Sequence, residues 1–529
     1  MDSQESTSSV KLGRSLRRWL DNLKNPDNIE VDVPTGLRAT LREYQKFGFQ
    51  WMNTLATYGF GGVLADDMGL GKTIQTISFL LSEKEAAQAK TGDRQLQATA
   101  QLSQNGVSQS DAHAQLSQTE TLQAAGLAPA LIVCPASLTY NWKSEIDKFA
   151  PELNAAVVAG DKAEREAVLH GATEYDVIIT SYPLLWRDVE MYREVTFSTL
   201  ILDEAQAIKN HTTQTAQAVS EIRSNNRFAL TGTPVENSLD DLWSIFHAVF
   251  PTLLGGRTSF GNLSPETVAK RIRPFMMRRL KKDVLTELPD KIESLQTAEL
   301  TKEQKAVYMA YLAQLQEDAV TELASQGFQK GRFQILAGLT RLRLICCHPS
   351  LCIDNFQGTS GKLEQLLELV EEYLGANQRI LIFSQFTSML DIMRREFQER
   401  GFRHFYLDGQ TPAKDRLALC DKFNNGEVPI FLISLKAGGT GLNLTGADTV
   451  ILYDLWWNPA VEEQAADRAH RIGQRNTVQV IRMVTQGTIE EKIYQLQQKK
   501  KDLIDTVVQA SDDNFGSLSE EDIRALLNI

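Results

Sequence analysis

A glycine-rich segment, Ala65 to Thr73, has the residue types of a loop that binds phosphate groups. It follows the short apolar run Gly62 to Ala65 and precedes the helical pattern Ile74 to Leu81. Gly69 and Gly71 allow successive backbone N–H groups to face one anion, and the helix that follows adds the partial positive charge of its N-terminus. The spacing therefore predicts a phosphate site between a strand and a helix.

Lys72 and Thr73 end this segment with the side chains that such a loop needs. We expect Lys72 to reach the β- and γ-phosphates of a nucleotide and the Thr73 hydroxyl to hold Mg²⁺. Asp66 stands where the strict pattern has glycine, so an ordinary glycine turn before a helix is the alternative.

Two carboxylates, Asp203 and Glu204, directly follow the apolar run Leu200 to Leu202. A carboxylate at the end of a strand can hold hydrated Mg²⁺, and its neighbour can orient or deprotonate the attacking water. We therefore predict that Asp203 is the metal ligand and that Glu204 is the water-positioning base. Such a pair is common in any sequence, but this one ends a buried strand downstream of the phosphate loop.

Two further segments could act on the same nucleotide. Thr231 to Pro234 ends another apolar run, and its hydroxyl groups suit a hydrogen-bonded relay, although these residues alone favour a simple β-turn. Arg468 and Arg471 lie three apart within Gln464 to Gln474, hence on one face if that segment is helical. Two guanidinium groups from a second lobe could act as arginine fingers on the γ-phosphate, and an exposed charged helix is the alternative.

The elements that must position these side chains form two series of short apolar runs. Continuous apolar runs separated by helical stretches are typical of buried parallel strands. The predicted strands are Gly62–Ala65, Ala130–Cys134, Asp176–Thr180, Thr199–Leu202 and Arg227–Leu230, and then Arg379–Phe383, His404–Leu407, Pro429–Ile433, Thr449–Tyr453 and Val478–Ile481. Two series predict an α/β fold of two doubly wound parallel-sheet lobes, with ligands beyond the carboxyl ends of the strands.

The chain divides into five predicted regions. Residues 1–36 form a polar extension with one helical patch, 37–250 the first lobe, 251–360 a mostly helical linker, 361–488 the second lobe and 489–529 a helical tail. Residues 83–128 of the first lobe have the composition of a Gln-rich surface insertion, which we expect to be flexible. No chromatin-reading module is recognisable, so we expect any targeting region to be absent or to lie on another protein.

Length and composition restrict the class of protein. The 529 residues are 42% hydrophobic and 23% charged, which excludes a wholly disordered chain, a collagen and a disulfide miniprotein. No apolar run approaches the length of about 18 residues that a membrane span needs, and no secretory signal is visible. The five cysteines fit a reducing interior, and Cys346-Cys347 lacks the usual zinc spacing. The net charge of −12 decides nothing about nucleic acid, because a basic groove can lie on an acidic body.

Ten motifs occur in a fixed order along the chain. They are Leu41-Arg-Glu-Tyr-Gln45, Asp67-Met-Gly-Leu-Gly-Lys-Thr73, Leu131-Ile-Val-Cys-Pro-Ala-Ser137, Asp203-Glu-Ala-Gln206, Leu230-Thr-Gly-Thr-Pro234, Phe275-Met-Met-Arg-Arg279, Ile382-Phe-Ser-Gln-Phe386, Lys436-Ala-Gly-Gly-Thr-Gly-Leu-Asn443, Trp456-Trp-Asn-Pro459 and Asp467-Arg-Ala-His-Arg-Ile-Gly-Gln474. Together they resemble the motor core of the Swi/Snf-type DNA translocases, in superfamily two of the helicase-like ATPases. Asp66 is usual in that family, Glu43 stands where proline is common, and Gln206 stands where many members have histidine, which looks like the bacterial branch.

The resemblance implies two RecA-like lobes with ATP in the cleft between them. By that resemblance Asp203 and Glu204 perform hydrolysis, Arg468 and Arg471 are the two arginine fingers, and Gln206 senses the nucleotide state. Gln45 would read the adenine, and the fifth motif would face both nucleotide and DNA. The implied cofactors are ATP and Mg²⁺, and the implied nucleotide-binding residues are Gln45, Asp67, Met68, Gly69, Leu70, Gly71, Lys72, Thr73, Gln206, Gly439 and Gly441.

The resemblance also implies movement along duplex DNA, whose phosphate backbone the lobes would grip without reading bases. The candidate contacts are basic residues near the motifs, namely Lys143, Lys209, Arg278, Arg279 and Lys436. We expect a monomeric motor that remodels a DNA-bound protein complex and has no membrane partner. We expect a cytoplasmic or nucleoid location if the source is bacterial and a nuclear one if it is eukaryotic.

Three alternatives stay open at this point. The first is a strand-separating helicase, and the second is a nucleotide-gated switch or scaffold with negligible turnover. Intact Lys72, Glu204, Arg468 and Arg471 argue against the second alternative. The third is a motor that acts on RNA, because phosphate contacts alone do not separate DNA from RNA.

Overall fold

The computed structural model describes residues 31–104, 128–232, 239–285, 288–325, 328–438, 442–507 and 527. The predicted helical patch near the N-terminus, residues 105–127 of the predicted insertion, and Gly439 and Gly441 lie outside these residues. The described residues contain two parallel sheets, and we call the parts of the chain built on them lobe 1 and lobe 2.

Lobe 1 is built on seven strands that pair in parallel wherever they are hydrogen-bonded. They are β1 (Gly62–Leu64), β2 (Ala130–Cys134), β3 (Ala155–Val157), β4 (Val177–Ser181), β5 (Thr196–Asp203), β6 (Arg223–Leu230) and β7 (Met276–Met277). Their order in the sheet is β3-β4-β2-β5-β6-β1-β7. The helices of this half are α1 (Glu43–Thr57), α2 (Lys72–Gln104), α3 (Thr139–Phe149), α4 (Lys162–His170), α5 (Tyr182–Arg187), α6 (Val189–Arg193), α7 (Gln214–Glu221), α8 (Leu239–Val249), α9 (Arg257–Phe260), α10 (Pro265–Ile272) and α11 (Lys281–Val284).

Lobe 2 is built on six strands, which also pair in parallel. They are β8 (Lys291–Ala298), β9 (Ile380–Ser384), β10 (His404–Leu407), β11 (Ile430–Ser434), β12 (Thr449–Leu452) and β13 (Val478–Thr485), in the sheet order β10-β11-β9-β12-β13-β8. The helices of this half are α12 (Lys302–Ser325), α13 (Phe328–Cys347), α14 (Gly361–Gly375), α15 (Thr387–Glu399), α16 (Ala413–Asn424), α17 (Leu435–Gly438), α18 (Pro459–Ala466) and α19 (Ile489–Val507).

Both faces of the lobe 2 sheet are buried. Along β9, Leu381 and Phe383 belong to one hydrophobic cluster, whereas Ile380 and Ile382 belong to another. Because helices cover both faces, strands in the middle of the sheet such as β9 and β11 are continuous apolar runs and not alternating ones. The prediction of doubly wound parallel-sheet lobes is therefore confirmed, and all ten predicted strands are present.

The predicted helical linker, 251–360, contains two strands that belong to the sheets. Met276–Met277 pairs with β1 of lobe 1, and Lys291–Ala298 pairs with β13 of lobe 2. The helical assignment is wrong for these strands, because β7 has only two residues and β8 is an edge strand with many polar side chains. The chain therefore passes from one sheet to the other within residues 278–290, and α12 and α13 follow as a packed helical pair.

The predicted insertion, 83–128, begins too early, because helix α2 continues through Gln104. Its first residues are part of the packing of lobe 1. Glu83 accepts a hydrogen bond of 2.9 Å from the Thr199 hydroxyl, and Lys84 forms an ion pair of 2.7 Å with Asp176. The polar composition of this stretch therefore does not mark the start of a loop, because the backbone stays helical through Gln104.

None of the helices in the described ranges is long and apolar enough to span a membrane. In the same ranges, no group of three or more His, Cys, Asp and Glu side chains could hold a metal ion. All five cysteines are free thiols, and four of them are buried.

Candidate active site

The phosphate loop connects β1 to α2 and needs glycine at two positions. Gly69 and Gly71 have φ angles of 86° and 79°, in the left-handed region that favours glycine. A Cβ atom would also lie 2.7 Å from the Arg471 Cβ at position 69, and 2.6 Å from the Gln45 Nε2 at position 71. The loop is therefore packed closely on both sides, which an ordinary glycine turn does not require.

The ammonium group of Lys72 is turned into the loop. Its Nζ donates to the backbone carbonyl oxygens of Asp66, at 2.5 Å, and of Asp67, at 3.3 Å. Burial lowers the pKa of Lys72, while the nearby charges of Glu204 and Asp66 act in the opposite direction. A phosphate group could replace these two carbonyl oxygens as the partner of the ammonium group, because an anion pairs with it more strongly.

Asp66, which stands where the strict pattern has glycine, is fully buried and forms an ion pair with Arg279. The Arg279 Nε donates to Asp66 Oδ1 at 2.9 Å, and the backbone N–H of Arg279 donates to the same oxygen at 3.1 Å. Arg279 also donates to Gln75 Oε1 at 2.7 Å and to the carbonyl oxygen of Tyr44. The pair therefore anchors the start of the phosphate loop to helices α1 and α2.

Gln45 lies beside the loop, on helix α1. Its Nε2 and the hydroxyl of Tyr44 both donate to the carbonyl oxygen of Leu70, at 3.2 Å and 3.0 Å. The other amide atom, Gln45 Oε1, accepts from the backbone N–H of Arg42 at 3.0 Å. These contacts place Gln45 at the loop, and its role in reading adenine stays a prediction.

The two predicted carboxylates follow β5, as expected, and have different surroundings. The Trp142 indole N–H donates to Asp203 Oδ2 at 2.8 Å, and the backbone N–H of Glu204 donates to Asp203 Oδ1 at 2.9 Å. Burial, reinforced by the charge of Glu204, raises the pKa of Asp203 to about 7. Glu204 itself has a φ of 49°, a left-handed conformation that costs a non-glycine residue roughly 1–3 kcal/mol and is common at functional sites.

A hydrogen-bonded relay connects the end of β6 to Glu204. The Thr231 hydroxyl donates to Gln206 Oε1 at 3.0 Å, and Gln206 Nε2 donates to Glu204 Oε2 at 2.7 Å. Residues 233–238 of this motif lie outside the described ranges, so the evidence for a relay comes from Thr231. For Thr231, the structure therefore favours the relay over the simple β-turn that the residues alone indicated.

Arg468 and Arg471 reach lobe 1 from lobe 2. Helix α18 ends at Ala466, so the two arginines lie in the turns that follow it and not on one helical face, and the alternative of an exposed charged helix is wrong. Arg468 is only 5% exposed, and its Nη2 lies 3.6 Å from the Met68 sulfur in the phosphate loop. Burial lowers the pKa of Arg468, and the carboxylates of Glu204, Asp467 and Asp203 oppose this shift. Burial and the charge of Arg468 lower the pKa of Arg471 to about 10.

The five predicted DNA contacts fall into two groups. Lys143, Lys209, Arg278 and Lys436 each follow the carboxyl end of a strand, and Arg278 and Lys436 are exposed. Lys143 is partly exposed and forms an ion pair of 2.5 Å with Asp147 on the same helix. The prediction of a DNA contact is wrong for Arg279. Its side chain is 13% exposed and forms an ion pair with Asp66 within lobe 1, so it does not face solvent as a DNA contact would.

Two family models match the chain, one in each half. The SNF2-related domain matches residues 44–351, which is more than half of the chain. The chain belongs to the SNF2-related family. The helicase conserved C-terminal domain matches residues 361–473 and so begins where helix α14 begins. The two matched regions of this SNF2-related chain are separated by residues 352–360.

Similar proteins include two bacterial relatives and one solved structure. YwqA of Bacillus subtilis, whose name assigns it provisionally to the ATP-dependent helicases or translocases, is 37% identical over 98% of this chain and 54% of that protein. An uncharacterized ATP-dependent helicase of Mycoplasma pneumoniae is 37% identical over 92% of this chain and 44% of that protein. The Sulfolobus solfataricus SWI2/SNF2 ATPase core in complex with double-stranded DNA is 35% identical over 94% of this chain and 99% of that one, with a TM-score of 0.42. The SNF2-related chain thus spans about half the length of the curated relatives it matches.

Two site residues of this SNF2-related chain were not predicted from the sequence, and the role of a third was predicted wrongly. Trp142 lies within a helix and gave no sign that it would reach Asp203. Lys281 contacts both the phosphate loop and the turn that bears the arginines. Arg279 was predicted, but for the wrong partner; a buried Asp66 in a phosphate loop needs a cation, and this requirement could have identified it.

Proposed function

We propose that the chain is an ATP-dependent double-stranded DNA translocase, which hydrolyses ATP between its lobes to move along DNA. One observation supports this most: Lys72, the carboxylates of Asp203 and Glu204, and the guanidinium of Arg468 converge on one buried place. Lobe 1 supplies the first three, and lobe 2 supplies the fourth. This is the set of charges that phosphoryl transfer to water requires, and the two lobes must meet to assemble it.

Asp203 and Thr73 would hold the Mg²⁺ that accompanies the nucleotide. The donor set fits, because Mg²⁺ takes oxygen ligands and usually uses only one or two protein groups beside phosphates and waters. The raised pKa of Asp203 supports this role, since a divalent cation would offset both burial and the repulsion from Glu204. When bound, the ion neutralises charge on the β- and γ-phosphates.

The side chains of Glu204, Lys72 and the two arginines have separate roles in hydrolysis. Glu204 orients a water molecule and accepts a proton from it as the oxygen attacks the γ-phosphorus, and the bond to the β-phosphate oxygen breaks, which gives ADP and phosphate. Lys72 pairs with the phosphates in place of the carbonyl oxygens it now contacts. Arg468 and Arg471 stabilise the negative charge of the transition state.

Several contacts of the nucleotide complete the proposal. The backbone of Asp67, Met68, Gly69, Leu70 and Gly71 would surround the phosphates, and Gln45 would read the adenine. Gln206 would report the state of the γ-phosphate to Thr231, because it already bonds both Glu204 and Thr231. The fifth motif, with Gly439 and Gly441, would face both nucleotide and DNA.

Duplex DNA is the proposed track because the chain is a SNF2-related protein and has basic side chains after the strands of both lobes. Lys143, Lys209 and Arg278 follow strands of lobe 1, and Lys436 follows β11 of lobe 2. Such contacts bind phosphates without reading bases, so the motor would act on any sequence. The two lobes already touch at this side, where the Lys414 ammonium lies 5.3 Å from the centre of the Tyr140 ring.

The oligomeric state, the target and the location of the motor are also proposed. We propose that it works as a monomer, that it displaces or remodels a protein complex bound to DNA, and that it acts in the cytoplasm or nucleoid of a bacterium or in a nucleus. The membership of the chain in the SNF2-related family supports the remodelling role.

The first experiment is steady-state ATP hydrolysis without nucleic acid, with duplex DNA, with single-stranded DNA and with RNA. We expect the strongest stimulation from duplex DNA and a loss of about 10²-fold or more in the Glu204→Gln variant, which keeps the shape of the side chain but removes its charge. Translocation itself is tested by displacement of a DNA triplex strand from the duplex, which needs movement but no strand separation.

Each other outcome identifies a different function. Stimulation by single strands or RNA alone would contradict the duplex proposal and support the helicase or the RNA motor. Hydrolysis without triplex displacement would support an ATPase that does not translocate. The absence of turnover with every nucleic acid would support the nucleotide-gated switch.

A further inference from the structure

The segment that joins the two lobes passes directly over the phosphate loop. It includes β7, the short helix α11 and the residues up to β8. Lys281, the first residue of α11, is the point where this segment contacts both sides of the cleft. Its backbone N–H donates to Asp67 Oδ2 in the phosphate loop at 3.0 Å.

The side chain of Lys281 contacts the turn that bears the arginines, Asp467 to Arg471. Its Nζ forms an ion pair of 2.7 Å with Asp467 Oδ1 and donates to the carbonyl oxygen of His470 at 2.7 Å. The side chains of Lys281 and Asp467 are only 12% and 20% exposed, so this pair is screened by water much less than a surface pair. Asp467 immediately precedes Arg468, and His470 immediately precedes Arg471.

A second contact from the same segment holds the same turn. The His470 Nε2 lies 2.8 Å from the carbonyl oxygen of Pro289, so the neutral imidazole donates a hydrogen bond to it. The turn is thus bound at two points by the segment that joins the lobes, once before β8 begins and once in α11.

The turn also packs against the phosphate loop itself. A Cβ atom placed on Gly69 would lie 2.7 Å from the Arg471 Cβ and 3.6 Å from the Lys281 Cε. Lys281 therefore lies between the loop and the turn, and a shift of its side chain would move the arginines relative to the phosphates.

We propose that Lys281 is a positioning residue. It holds the turn Asp467–Arg471 against the phosphate loop so that the guanidinium groups of Arg468 and Arg471 are correctly placed at the γ-phosphate. The inference rests on the proposed ATP hydrolysis and assigns a role that none of the sequence motifs assigns. Lys281 acts through the arginines and does not itself touch the nucleotide. A displacement of catalytic groups by about 1 Å can lower a rate by roughly 10²-fold, so the effect is measurable.

The test compares Lys281→Met with the neighbouring Lys282→Met. Methionine keeps the length and apolar stem of lysine but removes the charge, and Lys282 is an exposed residue of the same short helix. With the full chain and saturating duplex DNA, we expect Lys281→Met to lower kcat by about 10- to 100-fold and to change KM for ATP by less than about threefold. Lys282→Met should keep kcat within about twofold.

Two further variants separate positioning from general packing. Asp467→Asn should lower kcat to a similar level, and the double variant Lys281→Met/Asp467→Asn should be no worse than either single one, because both remove the same ion pair. In an Arg468→Ala background, Lys281→Met should lower kcat by a smaller factor than it does in the parent chain, since one of the two groups that it positions is already absent. Lys281→Arg should retain more activity than Lys281→Met.

Several results would overturn the inference. It is wrong if Lys281→Met retains kcat within twofold of the parent chain, or if its effect persists in full in the Arg468→Ala background. It is also wrong if KM for ATP rises in proportion to the loss of kcat/KM, because Lys281 would then support binding. Should Lys281→Met fail to fold, the Asp467→Asn and Lys281→Arg variants carry the same comparison. Absence of turnover in the parent chain would instead contradict the proposed function.

Discussion

In lobe 1 the site residues hold one another, whereas in lobe 2 the arginines depend on contacts from outside their own sheet. Asp203 is held by Trp142, and Glu204 by the relay through Gln206. The turn that bears Arg468 has contacts within lobe 2, such as the one from Arg471 Nη1 to the carbonyl oxygen of Leu442, but it is also bound by Lys281, from the segment that joins the lobes. Nucleotide affinity should therefore depend mainly on lobe 1, while hydrolysis should depend on how the two lobes meet.

The largest expected effect comes from lobe 2. Arg468→Ala should lower kcat by about 10³-fold, because it removes a transition-state contact of the arginine-finger type. The affinity for a fluorescent ATP analogue should change by less than about threefold, since lobe 1 holds the phosphates. Arg394→Ala, which removes a partly exposed arginine of the same lobe, is the control and should leave both values unchanged. A parallel loss of affinity would contradict the division between the lobes.

Two adjacent arginines, Arg278 and Arg279, should differ in the property that they affect. Arg279→Ala leaves the buried charge of Asp66 without its partner. We therefore expect the free energy of unfolding to fall by about 3 kcal/mol and the first thermal unfolding midpoint to fall by roughly 5 °C. Arg278→Ala should leave the midpoint unchanged and weaken binding to duplex DNA, with a smaller dependence on salt. Calorimetry of both variants and a salt titration of their DNA binding test this prediction. An Arg279→Ala midpoint equal to that of the parent chain would refute the internal role of Arg279.

Trp142→Phe tests whether the fixed geometry of lobe 1 matters for hydrolysis. The change keeps an aromatic ring but removes the N–H that donates to Asp203 at 2.8 Å. A hydrogen bond to a charged group contributes roughly 1.5–3 kcal/mol, so kcat should fall by about tenfold. The concentration of Mg²⁺ needed for half-maximal rate should rise as well. Trp186→Phe, at an exposed tryptophan, should have no effect, and an unchanged Mg²⁺ requirement in Trp142→Phe would show that Asp203 needs no such support.

The smallest expected effect is that of the relay in lobe 1. Thr231→Val keeps the shape of the side chain but removes the hydroxyl that donates to Gln206. We expect a decrease in kcat of about three- to tenfold, because a neutral hydrogen bond contributes roughly 0.5–1.5 kcal/mol. The ratio of the hydrolysis rates with and without duplex DNA should also be measured, because it shows whether the relay responds to DNA. If that ratio is unchanged, the relay supports Glu204 without responding to DNA.

The strands that could be predicted from sequence are those whose apolar runs are continuous. β2 and β11 are fully buried along their length, so their residue types leave little choice. β3 has three residues and β7 has two, too few for a pattern. β8 is an edge strand that mixes polar residues with exposed apolar ones, so no buried apolar run marks it. For this reason the sequence of the predicted linker, 251–360, gives no sign of β7 and β8.

The site could be predicted where chemistry fixes residue types within a short segment. Lys72 and Glu204 lie within such segments, and their local positions follow from the strands that precede them. Lys281 and Trp142 act across long sequence separations, and a lysine or a tryptophan in a helix is compatible with many partners. Arg279 shows the same limit, because charge alone does not distinguish a DNA contact from the partner of a buried aspartate.

Helix α2 begins at Lys72 and continues for 33 residues, so its axis is about 50 Å long. Its first turn is the end of the phosphate loop, and its last turn is followed by residues 105–127. A rotation of the loop by about 5° would therefore displace the far end of a straight helix of that length by about 4 Å. A spectroscopic label near Gln104 would record the nucleotide cycle as an enlarged movement, far from any group that performs the chemistry.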